Sequence, residues 1–335
     1  MADNFAEIWN SLEKKNRNGG YQQRAIFTAA RIDLYLGLEA NDTRFFIFAA
    51  RKSAVAQLRT PASSTGIDIR KLDRPDYGEK IVYRLTLTDQ AYIEFFDKVV
   101  EDICRRASAH DSESVAYTAT INRIAEWQRF FAKNALGGLS EEVRRGLFGE
   151  LSFIRELALG NVLEGSGLAC WRGPFGADQD FQFRECAVEV KVSISAQNQE
   201  IIVSSERQLD GRSYAHLYLY HLALAIRRNS GETLNQAVDS VRRSIPAHLT
   251  EDFERGLLEV GYVDAQRDLY SEEGYIVRET NYFEVRDNFP RITETDLHRV
   301  PGVGKVRYAI SVPVCKSFAV AKKQMFDVLG GSSRG

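Results

Sequence analysis

Three carboxylates and one lysine stand in the middle of this chain at spacings that suit phosphodiester chemistry. Glu150 interrupts an apolar helical stretch. Asp180 opens a short alternating run, and Glu189 and Lys191 lie two apart in a second one, Val188-Glu189-Val190-Lys191-Val192. Carboxylates brought within a few ångströms repel and push a pKa upward unless a cation sits between them. Hard oxygen donors with few histidines suit Mg²⁺, which keeps several waters and takes one or two carboxylates plus a phosphate. Mn²⁺ could substitute. The carbonyl of Val190, between the two polar residues, is a further candidate ligand. Lys191 would then orient or activate the attacking water and stabilise charge on the phosphate.

The elements that must position these groups follow from periodicity. Ser140 is a suitable N-cap for a helix over 140–159. At about 100° per residue, Val143, Leu147, Ile154 and Leu157 fall on one stripe, and Glu150 lies within it. Its charge therefore points toward the core side, where an uncompensated carboxylate costs several kcal/mol. Strand parity puts Phe181 and Phe183 on one face with Asp180 on the other. It likewise separates Val188, Val190 and Val192 from Glu189, Lys191 and Ser193.

The two runs are close enough for a hairpin, and directly opposed residues of an antiparallel pair share a face. A two-residue turn sets Asp180 opposite Glu189; a four-residue turn sets it opposite Lys191; a three-residue loop would spoil the match. Asp178 has the same parity and competes with Asp180. Asp180 is preferred because Phe181 and Phe183 anchor its strand. A solvated strand face could also carry a Glu-x-Lys tripeptide, which by itself is common.

The order helix Glu150, Asp180, Glu189-x-Lys191 resembles the PD-(D/E)XK nuclease superfamily of restriction endonucleases and Holliday-junction resolvases. More narrowly, Trp171-Arg172-Gly173-Pro174, Asp180-Phe181, Val188-Glu189-Val190-Lys191 and Ser204-Ser205-Glu206-Arg207-Gln208-Leu209 look like an uncharacterised bacterial PD-(D/E)XK family. The likeness extends through Phe283-Glu284-Val285, Phe289-Pro290-Arg291 and Val306-Arg307-Tyr308. Members of that family are commonly linked with restriction-modification and phage-defence gene clusters. The resemblance implies that Asp180 and Glu189 hold the metal, that Lys191 serves the attacking water, and that Glu150 contributes directly or through water. One departure is that no proline immediately precedes Asp180; the nearest is Pro174. Gln208, 17 residues after Lys191, matches a place where some superfamily members carry a polar residue near the site, although capping or a surface contact explains it equally well.

Composition bounds the rest. The 335 residues suffice for two domains, and 44% are apolar. A net charge of −2 supplies no global basic field, so a nucleic-acid surface must be a local patch. Candidate phosphate-binding pairs are Arg144-Arg145, Arg227-Arg228 and Arg242-Arg243, with Arg255; a solvated charged face is the alternative for each. The four cysteines show no metal or disulfide spacing, the start of the chain lacks an apolar run, and no stretch reaches the roughly 18 apolar residues of a membrane span. A cytoplasmic protein without membrane contact is expected.

Along the chain, Phe5, Ile8, Trp9 and Leu12 predict an amphipathic helix. Strands are expected at 33–38, 44–48, 67–72 and 81–87, forming an antiparallel meander closed by a helix at 89–106. The small polar stretch 107–114 suggests a boundary, with an N-terminal recognition or partner module over 1–112 and a nuclease domain with a C-terminal β extension over 113–330. A helix over 121–134 should end at Gly137-Gly138. The run 217–224 reads as a buried strand with His216 and His221 on opposite faces, which argues against a shared metal. Helices are expected at 234–244 and 251–260. Pro301-Gly302-Val303-Gly304-Lys305 reads as a glycine turn entering a β-hairpin, and the tail from Gly330 as disordered.

The expected fold is α/β, a restriction-endonuclease-like mixed sheet flanked by helices with an N-terminal antiparallel β module. The expected function is Mg²⁺-dependent cleavage of double-stranded DNA as a restriction or phage-defence effector. The rival is a catalytically silent DNA-binding or assembly subunit that retains the fold, and RNA cleavage is a third reading. Two cuts per duplex suggest a homodimer. No helicase or ATPase motif is present, so a separate ATPase, methyltransferase or other defence subunit is a candidate partner.

Overall fold

The computed structural model describes residues 5–16, 21–55, 67–89, 92–133, 137–194, 200–297 and 302–332. The chain divides into two compact units, Met1–Leu136 and Gly137–Gly335. The division thus falls at 136/137 rather than at 112/113. Helix α3 (Glu113–Lys133) buries Ala116, Ile121, Ile124 and Trp127 and packs on α2 (Ile93–Ser108). The polar stretch 107–114 therefore joins two partnered helices instead of separating domains.

The first unit begins with α1 (Phe5–Asn16), which buries Phe5, Ile8, Trp9 and Leu12 as its periodicity predicts. Five strands follow: β1 (Gln22–Ile26), β2 (Asp33–Leu38), β3 (Arg44–Arg51), β4 (Ile67–Leu72) and β5 (Lys80–Leu87). All pair antiparallel, in the spatial order β1-β2-β3-β5-β4. The expected meander is corrected on two points. The polar strand β1 joins at one edge, and β5 inserts between β3 and β4. Alternation identifies a strand and its buried face, but it carries no information about which strand lies beside it. Ile67, Ile69 and Leu85 surround one small gap together with Val99 and Ile103 of α2 and Ile124 and Trp127 of α3.

The second unit opens with α4 (Glu141–Leu159) and the short α5 (Leu163–Ser166). It continues through β6 (Phe181–Gln182), β7 (Cys186–Ile194), β8 (Glu200–Val203), β9 (His216–Arg228), β10 (Glu232–Thr233), α6 (Leu234–Ser244) and α7 (Thr250–Val260). It closes with β11 (Glu273–Glu284), α8 (Glu294–Leu297), β12 (Tyr308–Ser311), α9 (Val312–Cys315) and α10 (Lys322–Ser332). Its main sheet has the order β10-β11-β9-β7-β6, with β7 and β9 parallel and the other neighbours antiparallel. The fold is α/β with a mixed sheet, consistent with the restriction-endonuclease type.

One face of this sheet presents Val188, Val190, Tyr218, Tyr220, Leu222 and Leu224 to a core shared with Leu147, Leu151, Ile154 and Leu157 of α4, with α6 and with α10. The other face presents Ala187, Leu217, Leu219 and Phe283 to Ile201 and Val203 of β8, Ile310 of β12 and Val312 and Cys315 of α9. Strand β9 is buried along most of its length, as its unbroken apolar run predicts.

Three expectations near the C-terminus change. Among the described residues strand β12 forms no hairpin with its neighbours in sequence; it pairs antiparallel with β8, far earlier in the chain. Gly302 does adopt a turn conformation, at φ +84°, and Pro301 lies outside the described residues. The backbone amides of Lys305 and Val306 donate to Glu206 at 3.3 and 2.9 Å, which ties this turn to the 204–209 segment rather than to a following strand. Gly330 and Gly331 belong to α10, and only 333–335 of the tail lie outside the described residues. All four cysteines are buried, and none is in a disulfide. Among the described residues no helix is long and apolar enough to cross a membrane.

Candidate active site

Helix α4 starts as its sequence predicts, with the Ser140 hydroxyl accepting the Val143 amide. Leu147, Ile154 and Leu157 are buried on the predicted stripe, while Val143 is exposed at the first turn. The close seating of α4 on β7 depends on Gly149. A Cβ there would stand 2.6 Å from Val192 Cγ2 and 3.0 Å from Val190 Cγ1. Four residues after Gly149, Phe153 packs edge-on against Phe181 of β6, with ring centroids 4.8 Å apart. Glu150 lies between these two contacts and is therefore held close to the β6–β7 edge.

The hairpin register is the tighter of those the alternation allowed. Phe181 pairs with Val188 and Gln182 with Ala187, and the Phe183 amide donates to the Cys186 carbonyl at 2.8 Å. The turn is therefore Arg184-Glu185, and continuing the ladder outward sets Asp180 opposite Glu189. Strand β6 ends before reaching Val190. Asp180 Oδ2 takes the strand's place and accepts the Val190 amide at 2.8 Å. The cluster thus forms at an open edge of β7, where Glu150 approaches from the helix-covered side and Glu189 from the other.

Lys191 completes it. Its Nζ lies 2.8 Å from Glu189 Oε1 and donates to Gln208 Oε1 at 2.9 Å. The same Gln208 oxygen accepts the Ser204 amide at 2.8 Å, which fixes it relative to the turn after β8. Gln208 therefore joins the site. Asp178 does not. It is exposed and lines a separate polar cleft of about 570 Å³ with Arg207, Asp210, Arg212 and Glu294.

Two residues from the Trp171-Arg172-Gly173-Pro174 motif acquire roles that their types alone did not reveal. The Trp171 indole N–H donates to Glu150 Oε2 at 2.5 Å. Its ring rests on Gly256 of α7, where a Cβ would approach it to 2.3 Å, and stacks on Phe253. A Cβ on Gly173 would meet Asp180 Oδ1 at 2.7 Å and Glu150 Oε2 at 3.1 Å. The space between these carboxylates is thus kept clear by a missing side chain. The only sequence signal was the motif itself, since neither indole direction nor glycine crowding can be read locally.

The electrostatics follow from burial without enough compensating charge. Glu150 is raised well above the ordinary carboxylate range, first by burial and then by the Asp180 charge, with the Trp171 N–H opposing. Asp180 is raised by burial, against the pull of Lys191 and the Val190 amide. Glu189 is pushed up to about 8 by burial and by Asp180, with Lys191 offsetting part of the shift. The buried Glu189 oxygens accept no hydrogen bond within standard geometry, and the Lys191 ammonium is the cation beside them.

This donor set fits a hard divalent cation. Among the described residues no group of three or more His, Cys, Asp or Glu side chains is placed to hold a metal ion by itself. Mg²⁺ needs none, since it binds through one or two carboxylates and keeps waters and phosphate oxygens for its remaining positions. Glu189 and its opposite number Asp180 are the residues that could hold it. The Val190 carbonyl and Glu150 are the next candidates.

His221 sits opposite Lys191 in the parallel ladder, bonded to Ser193 Oγ at 2.8 Å and near Asn281 Nδ2 at 3.3 Å. Burial lowers it to about 4, so it is a neutral polar residue of the sheet. His216 lies by Glu284 instead, in agreement with the opposed faces expected. Most of the arginines expected to form a phosphate-binding surface are engaged. Arg144 pairs with Glu273, Arg145 with Glu141, Arg228 with Glu272, Arg242 with Glu254 and Asp264, and Arg255 with Asp252.

A family model described as "Putative PD-(D/E)XK family member" (DUF4420) matches residues 5–313. No curated protein and no solved structure matches the chain.

Proposed function

The chain belongs to this PD-(D/E)XK family, and on that footing we propose that it is a metal-dependent DNA endonuclease serving as a restriction or phage-defence effector. The observation that carries this reading is the join between Glu189 and Lys191. A buried, under-bonded carboxylate lies 2.8 Å from an ammonium, with Asp180 opposite it in the register. Structural ion pairs of this burial are normally saturated with hydrogen bonds, because an unsatisfied buried charge costs several kcal/mol. A site that keeps this cost is poised for something it binds.

A bound Mg²⁺ or Mn²⁺ would supply Lewis acidity toward a phosphate oxygen and a more acidic water. Asp180 and Glu189 would hold it, with Val190 and Glu150 as supporting ligands. The protein's own part is then specific. Gln208 accepts from the Lys191 ammonium and Glu189 lies beside it, which would hold the ammonium ready to orient a water or to face the charge growing on the phosphate. Trp171 holds one Glu150 oxygen, which orients the carboxyl and favours its charged form. Duplex cleavage requires two such sites, so the proposal includes a homodimer or an equivalent partner subunit acting on double-stranded DNA.

The test is incubation of purified protein with plasmid DNA and with RNA of similar length, in Mg²⁺ or Mn²⁺, beside Asp180→Ala and Lys191→Ala. Nicking or linearisation of DNA that both variants lose is the expected result. Tight DNA binding with no cleavage under either metal would favour a silent subunit, and cleavage confined to RNA would change the substrate.

A further inference from the structure

Residues Arg172 to Gly176 form a short loop whose position gives it a second use. The amides of Arg172 and Gly173 both donate to the carbonyl of Asp180, at 2.7 and 3.0 Å, so the loop is fastened to the backbone of a site carboxylate. Pro174 and a left-handed Gly176 close it into a single tight turn, with the Phe175 amide on the Arg172 carbonyl at 3.0 Å. On this turn Phe175 is 44% exposed, although a Cβ on the nearby Gly173 would meet Asp180 Oδ1 at 2.7 Å and Glu150 Oε2 at 3.1 Å.

The ring is flanked by guanidinium groups. Arg172 and Arg255 each lie 5.9 Å from its centroid, near the outer limit of a cation–π contact. These contacts leave close to half of the side chain open to solvent. Arg172 is exposed, and no carboxylate pairs with it among the described residues. Arg255 has a partially exposed partner, Asp252, at 2.6 Å, and exposed pairs of this kind are readily exchanged for another anion. An exposed ring between exchangeable cations, on a rigid turn beside the site, has the composition of a stacking platform for a charged strand.

We propose that Phe175 stacks on an unpaired nucleobase next to the scissile phosphate while Arg172 and Arg255 hold the flanking phosphates. The inference rests on the nuclease reading and deepens it by assigning a substrate feature, a strand that is single or locally opened at the cut. A ring on a tight turn has room for one base face, and a base inside an intact duplex has none to offer.

The experiment uses the full chain carrying Lys191→Ala to prevent cleavage. A fluorescein-labelled single-stranded oligodeoxynucleotide and its duplex are titrated in Mg²⁺ and followed by anisotropy. Phe175→Ala should weaken binding of the single strand about tenfold or more and that of the duplex less, whereas Phe175→Trp should retain it. Arg172→Ala should instead reduce the slope of log affinity against log salt by about one. Phe175 is exposed, and an unchanged thermal midpoint confirms that the variants fold. Parent-like single-strand affinity in Phe175→Ala overturns the inference and leaves the nuclease reading intact. Failure of the Lys191→Ala protein to bind either oligonucleotide, with no cleavage by the parent, overturns both.

Discussion

The indole N–H of Trp171 donates to Glu150 Oε2 at 2.5 Å, across 21 residues of sequence. This bond joins the helix that carries one acid to the motif that lines the space between two acids. Because Trp171 is seated against Gly256 and Phe253, α7 supports the carboxylate cluster through this ring without adding a side chain to Glu150, Asp180, Glu189 and Lys191.

Trp171→Phe keeps most of the ring and deletes the donor. Metal-free protein at neutral pH should lose about 1–3 kcal/mol, the cost of leaving a buried polar group unsatisfied. In a Glu150→Gln background the loss should be smaller, because an amide oxygen carries no charge at any pH and accepts a weaker hydrogen bond than an ionised carboxylate. Urea unfolding of the four proteins in this cycle measures the coupling. Equal losses in both backgrounds would show that the ring, not the hydrogen bond, is what matters.

Gly149→Ala should destabilise by about 1–3 kcal/mol through overpacking against Val190 and Val192. It should also lower cleavage by displacing Glu150. Gly146, in the same helix, has nothing within 4 Å of a built Cβ. Gly146→Ala should therefore be neutral or stabilising by about 0.5–1 kcal/mol, following helix propensity. Thermal melts and plasmid nicking of both variants check the contrast, and equal effects would overturn the close-packing account.

The pH dependence follows from Glu189, whose folded pKa is pushed up to about 8. A carboxyl raised above its unfolded value favours the folded state when protonated. Its contribution is complete below the ordinary carboxylate range and is lost as pH rises toward 8. Metal-free protein in EDTA should become less stable over that interval, and Glu189→Gln should flatten the decline. Added Mg²⁺ should raise the melting temperature more at pH 8 than at pH 5. A metal effect independent of pH would contradict this assignment.

Gln208→Ala removes the carbonyl that accepts both Lys191 Nζ and the Ser204 amide. Cleavage should slow by about tenfold or more while affinity for uncleaved DNA changes little, since the lysine acts on the reacting water rather than on strand binding. Gln208→Glu should retain the acceptor and part of the rate. Single-turnover rates beside binding titrations separate the two effects.

What the sequence by itself determined is local. Alternation over 187–193 put Glu189 and Lys191 on the face away from Val188 and Val190. Helical phase carried Glu150 inward with Leu147 and Ile154, and Ser140 marked the start of the helix. These are consequences of fixed periods of 2 and 3.6 residues, which neighbouring side chains report directly. Only the tertiary structure decided the rest. The turn at Arg184-Glu185 chose between two registers that the alternation permitted equally and so placed Asp180, not Asp178, against β7. The insertion of β5 beside β3 and the pairing of β12 with β8 depend on contacts across long stretches of chain. Most of the arginines that looked like a phosphate surface found carboxylates brought to them by folding. Trp171 and Gly173 bear on Glu150 only because α7, β6 and α4 meet. Their roles depend on where distant backbone runs, which no local period encodes.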